Sequence, residues 1–161
     1  MGLRFTSALD KIHREPLEEL MFFHPQQGRL ASSLISIIEQ QGSPSIIEQD
    51  GKLRIEIPRI QSVQTLFAII DGVLQWELVG MVTYARITPD ELTVPHIAVK
   101  DEYTVHGSKG DQMVAYHLLE ELRRIGHHIK GIQGVRLAYR RSKTLLTTLQ
   151  PVGNDATRSE S

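Results

Sequence analysis

No cysteine occurs among the 161 residues. That excludes a disulfide framework, a thiolate nucleophile and any Cys-based zinc site. No apolar stretch approaches the roughly 20 residues that cross a bilayer. The opening Met1-Gly2-Leu3-Arg4-Phe5-Thr6 lacks the apolar run of a signal peptide. A cytoplasmic protein with no membrane partner is therefore expected. No internal repeat or low-complexity segment interrupts the chain. Apolar residues make up 40% and charged residues 23%, a globular balance. The length fits one domain with its own core, expected over residues 1–150. Residues 151–161 are small and polar, and a disordered tail is expected there.

Charge is unevenly spread. Residues 1–104 carry nine Lys/Arg against fourteen Asp/Glu, whereas residues 105–145 carry eight against three. A basic block suits a polyanion or a phosphate-bearing cofactor, and equally a solvated face.

The first forty residues read as helix. Leu9, Ile12, Leu17, Leu20 and Met21 have helical spacing, Pro16 suits a first turn, and Leu30, Leu34, Ile37 and Ile38 form a second stripe. The period then changes to two. Ile46–Glu48 and Leu53–Ile57 flank Asp50-Gly51, a hairpin signal. Thr65–Ile70, Val73–Ile87 and Leu92–Val99 read as further strands of an antiparallel meander, with Gly80 marking a bulge or a close approach. An amphipathic helix follows, with Met113, Val114, Leu118, Leu122 and Ile125 inward and Gly126 as its C-cap. Ile132–Ala138 reads as a strand. A strand, a helix and a strand in that order imply a parallel pair. The expected class is α/β of the α+β type: a mainly antiparallel mixed sheet flanked by helices, with an extra helical N-terminus.

Between strand and helix lies His106-Gly107-Ser108-Lys109-Gly110. Helix N-termini attract anions, and glycines let amides turn inward. Ser108-Lys109-Gly110-Asp111 also fits a capping box, which needs no ligand.

The order of these elements resembles the GNAT superfamily of N-acetyltransferases over residues 64–139. The matching pieces are a strand ending in Asp71-Gly72, a Leu78-Val79-Gly80 strand and a strand closing on Ile97-Ala98-Val99. Asp101-Glu102-Tyr103, the glycine loop and a Leu-rich helix follow. The resemblance implies that backbone groups of Ile97, Ala98 and Val99 bind the pantetheine arm of acetyl-CoA. It also implies that Val105, His106, Gly107, Ser108, Lys109 and Gly110 hold the pyrophosphate. In this loop Val105 stands at the family's basic position and Ser108 at its first glycine.

Acyl transfer to an amine needs a base and, for the leaving thiolate, an acid. His96 is the candidate base on the cleft strand, on the same face as Val94 and Ala98 by alternation. Glu77 and Glu91 are candidates to hold an amine or relay a proton. Tyr139 is the candidate acid. His117, Glu120 and Glu121 share one helix without a further ligand, so no metal is expected. The implied activity is acyl-CoA-dependent N-acyl transfer to a small-molecule or peptide amine. The alternative is a catalytically inactive GNAT-like module that binds a ligand, a protein or a polyanion. No nucleic-acid motif accompanies the basic run Arg136, Arg140, Arg141 and Lys143. A second copy of the chain, joined through the helical N-terminus, is a further candidate partner.

Overall fold

The runs richest in β-branched residues become the longest strands. The computed structural model describes residues 2–22, 44–72, 75–104 and 107–137. In chain order these contain β1 (Leu3–Thr6), β2 (Leu9–Asp10), α1 (Arg14–Phe22), β3 (Ser45–Gln49) and β4 (Lys52–Glu56). Then come β5 (Gln64–Asp71), β6 (Trp76–Thr88), β7 (Glu91–Val99), α2 (Val114–His127) and β8 (Gly134–Leu137). The architecture is α+β. A five-stranded mixed sheet runs β1-β5-β6-β7-β8, and a three-stranded sheet runs β2-β4-β3.

Two expectations are corrected. The chain opens with strand, not helix: Leu3 and Phe5 pair with Ile70 and Ala68 of β5 and pack on the core, and Ile12 is 75% exposed. A 3-10 turn, Lys11–His13, leads into the α-helix, which begins only at Arg14 with Pro16 in its first turn, where a missing N–H costs nothing. The meander is also divided, because the β3–β4 hairpin belongs to the smaller sheet. Its turn is as expected. Asp50 and Gly51 both take positive φ, 54° and 76°, which a two-residue hairpin turn of matching twist requires. The second stripe, Leu30 to Ile38, lies outside the described residues, as do Tyr139 and the tail 151–161.

Strand β7 pairs antiparallel with β6 and parallel with β8. The parallel pair follows from the intervening helix, as the element order implies. Irregular registers shape the sheet. Ala68 pairs with Gly80 and Ile69 with Leu78, so Val79 is an extra residue on β6. Between the pairs Thr83↔His96 and Ala85↔Thr93, β6 advances two residues and β7 three. Pro95 sits in this second bulge, where no ladder N–H is needed.

Two cores flank the sheet. On one side α2 packs Val114, Leu118 and Leu122 against Leu66, Val82 and Val94. On the other, α1 brings Leu17 and Leu20 onto Phe67, Ile69 and Met81. Gly80 sets the approach of α2. A Cβ there would lie 3.0 Å from Val114 Cγ1, 3.1 Å from Leu118 Cδ1 and 3.2 Å from the Ala98 carbonyl oxygen. Gly80→Val should therefore push α2 off the sheet and destabilise the fold by about 2 kcal/mol through overpacking. Urea unfolding of the variant checks this; an unchanged midpoint would show that α2 can shift at no cost.

Gly126 is not a C-cap. It is buried inside α2, where a Cβ would meet Ile132 Cγ2 at 3.2 Å and Leu92 Cδ1 at 3.5 Å. The helix runs one residue further, and the positive φ after it, 91°, falls on Gly131.

Candidate functional site

The bulge at Pro95 decides which face each β7 side chain takes. Val94 packs with the α2-side core and Ala98 with the α1-side core. The expectation of one face for Val94, His96 and Ala98 thus fails, because the extra residue reverses the alternation. His96 lies across from Thr83, which lies across from Thr65. All three are buried, and His96 Nδ1 and Thr65 Oγ1 have no hydrogen-bond partner among the described residues. Burial alone pushes the His96 imidazolium down to about 4. His96 is therefore neutral near pH 7 and a weak base.

Past the bulge, β7 keeps β6 as its neighbour. On the other side, the β8 register runs from Glu91↔Gly134 to Val94↔Leu137, so Pro95–Val99 have no β8 partner among the described residues. The Lys100 N–H donates to the Val79 carbonyl at 2.8 Å, toward β6. Strand alternation then turns the N–H and C=O groups of Val99 and Ile97 toward the open edge.

This edge ends at a cleft of about 840 Å³ between α1 and the start of β6. Glu77, Lys100, Asp101, Glu19, His13 and Trp76 are among its walls. Glu77 Oε1 accepts a 2.5 Å hydrogen bond from Lys100 Nζ, which also lies 3.3 Å from Glu102. Burial pulls the Lys100 ammonium down, but the bonds and charges of Glu77 and Glu102 outweigh it and hold it above the usual lysine value. His13 stacks on Trp76 with ring centroids 3.9 Å apart. Burial lowers its pKa against the pull of Asp10, which favours neutral imidazole. Spacing in the sequence does not join α1 to this site, because His13, just before the helix, and Glu19, within it, reach the cleft only through tertiary packing.

The loop before α2 is folded on itself. Gly107 N–H donates to Thr104, Lys109 N–H to Glu102, and Gly110 N–H to Gly107, at 2.7–3.2 Å. A Cβ at Gly107 would overlap the carbonyl oxygens of Asp101 and Glu102, which accounts for glycine there. Lys109 Nζ stands 5.2 Å from the Tyr103 ring centroid. The Ser108 capping box does not form, because α2 begins only at Val114, after Met113 in the left-handed region at φ 51°. The amides without an intrahelical acceptor are thus those of Val114, Ala115 and Tyr116. The helix N-terminus thus lies at Val114, four residues beyond Gly110, the last residue of the glycine loop.

Of the residues singled out from sequence, the structure brings Glu77 to the cleft and Ile97, Ala98 and Val99 to the strand that leads to it. It places His96 in the interior, outside the cleft lining. Glu91 lies at the far end of β7, where its carboxylate faces Arg136 at 3.8 Å. Glu120 and Glu121 pair with Arg123 and Arg124 on their own helix. Val105 and His106 lie outside the described residues, as does Tyr139.

No protein-family model matches the chain, and no curated protein does. A solved structure similar to it is that of AAC(6')-Iy in complex with a bisubstrate analog, CoA-S-monomethyl-acetylneamine. The identity is 16%, with a TM-score of 0.44, over 92% of this chain and 86% of that one.

Proposed function

We propose that the protein is an acyl-CoA-dependent N-acyltransferase that moves an acetyl group from acetyl-CoA to an amine held in the cleft. The observation that carries this reading is the open edge of β7, which leads into a cleft containing a carboxylate. Extended backbone donors and acceptors at Ile97 and Val99 suit the amide groups of a pantetheine arm. The first turn of α2 suits its phosphates, through free N–H groups and the positive end of the helix dipole. The closed amides of Gly107, Lys109 and Gly110 do not suit them, so the phosphate seat moves from the glycine loop to Val114–Tyr116.

The bound cofactor supplies an acyl group activated as a thioester. This chain's residues would do the rest. Glu77 receives the acceptor's ammonium and takes its proton, by which a positioned base contributes about 10²- to 10⁴-fold. Glu19, Glu77 and Asp101 outnumber Lys100 among the charged walls, which favours a cationic acceptor.

The inward-turned loop amides favour a second reading, a ligand-binding module without acyl transfer. Calorimetric titration of acetyl-CoA separates the two. One-to-one saturable binding supports the transferase, and an amine screen follows. No heat at millimolar ligand supports the module. Tyr116→Glu tests the phosphate seat. Tyr116 is exposed, and an acid in a helix's first turn is favourable, so the fold should be unharmed. CoA affinity should fall about tenfold by charge repulsion; an unchanged affinity would place the phosphates elsewhere.

A further inference from the structure

The cleft already contains one ammonium group, and it belongs to the protein. Lys100 Nζ bonds Glu77 Oε1 at 2.5 Å, and the two side chains are 45% and 39% exposed. Both therefore face solvent within the cavity that the preceding reading assigns to the acceptor. The end of β7 is also anchored to β6 without this pair, because the Lys100 backbone N–H donates to the Val79 carbonyl. The ammonium also has a second carboxylate within reach, Glu102 at 3.3 Å, to which it can retreat.

We propose that the Glu77 carboxylate is the seat for a ligand's primary ammonium group, and that Lys100 is a built-in occupant which such a ligand displaces. This rests on the reading of the cleft as the acceptor site. It adds a specificity device. An exposed ion pair is worth only a factor of about one to five in an equilibrium constant, so displacement is cheap for a true cation. A neutral molecule of the same shape gains at most a hydrogen bond from Glu77, without the charge that would replace the ammonium, and leaves Lys100 in place. The device would thus reject neutral isosteres while leaving the carboxylate paired, not bare, in the empty cleft.

The protein reports on this directly. Trp76 is its single tryptophan, and it lines the same cleft beside Glu77. The experiment is a titration of the full chain with benzylamine, a cation at neutral pH, and with benzyl alcohol, its neutral isostere, followed by Trp76 emission. Benzylamine should give a saturable change and benzyl alcohol a response at least about tenfold weaker. Glu77→Gln, which can still accept a bond from Lys100, should weaken benzylamine at least about tenfold. Lys100→Met should tighten it about two- to fivefold. Lys130→Met changes net charge equally at an exposed position near the β6–β7 turn, away from the cleft, and should alter affinity less than about twofold.

Equal binding of the two probes, no saturable change with benzylamine, or unchanged affinity in Glu77→Gln would overturn the seat. Equal gains in Lys100→Met and Lys130→Met would reduce the effect to net charge and overturn the occupant. The titration uses no CoA. A failed acetyl-CoA titration on the same sample would sink acyl transfer alone, and a failed amine titration beside a successful acetyl-CoA one would sink the seat alone.

Discussion

Phe67→Ala should destabilise the protein by about 3–5 kcal/mol, the cost of emptying a filled aromatic site. Phe67 is the bulkiest side chain with no solvent exposure, at the centre of β5 opposite Met81. It packs in the core that joins the main sheet to α1 and the smaller sheet, with Leu17, Ile55 and Met81. Ordinary domains are stable by only about 5–15 kcal/mol, so the loss could consume most of the total. Phe67→Leu keeps most of the volume and should cost well under half as much. Urea unfolding of both variants gives the comparison. Equal midpoints for the two would mean that the site collapses around alanine, and that this core is looser than its burial implies. The cleft should suffer with the core, since α1 supplies one of its walls.

The second large effect is on pH. His96 in the fold has its pKa pushed down to about 4 by burial, against about 6.5 in an unfolded chain. The unfolded state therefore binds a proton between these values and the folded state does not. Stability from this group is complete above pH 6.5 and is lost as pH falls toward 4. The full loss is about 3 kcal/mol, from a shift of roughly 2.5 pH units at 1.36 kcal/mol each. Among the described residues no carboxylate is bonded to the imidazole: across from His96 stand Thr83 and then Thr65, and its Nδ1 has no partner there. Unfolding midpoints at pH 7.0 and 4.5 should differ accordingly. In His96→Leu this part of the slope should vanish, and the residual slope belongs to carboxylates. A slope as steep in His96→Leu as in the parent would show that His96 is solvated. The same burial argues against His96 as the base of the proposed reaction, whereas Glu77 lies in the cleft wall with Glu19 and Asp101.

How much of this was legible beforehand depends on how local each signal is. The Asp50-Gly51 hairpin was readable because two positive φ angles demand those residue types, whatever surrounds them. The parallel pairing of β7 with β8 was readable because a helix between two strands allows little else. The Gly80 bulge announced itself through a glycine within a β-rich run. Strand β1 was missed because four residues of weak alternation acquire their conformation from pairing with β5, a contact more than sixty residues away. The shared face expected for Val94 and His96 was misread because alternation assumes a regular register, and one extra residue near Pro95 reverses it between them, while His96 and Ala98 stay in step.

By itself, then, the sequence determined the α+β class, the central strands, the glycine-bearing loop before a long helix, and the absence of a cysteine nucleophile. These follow from composition and from periods of two and 3.6 residues, which each segment carries alone. Only the tertiary structure decided the division into two sheets, the burial of His96, the start of α2 at Val114 and the meeting of Glu77 with Lys100 under α1. Those depend on which surfaces exclude water together and which backbone groups are left unpaired, and both quantities exist only once distant segments touch.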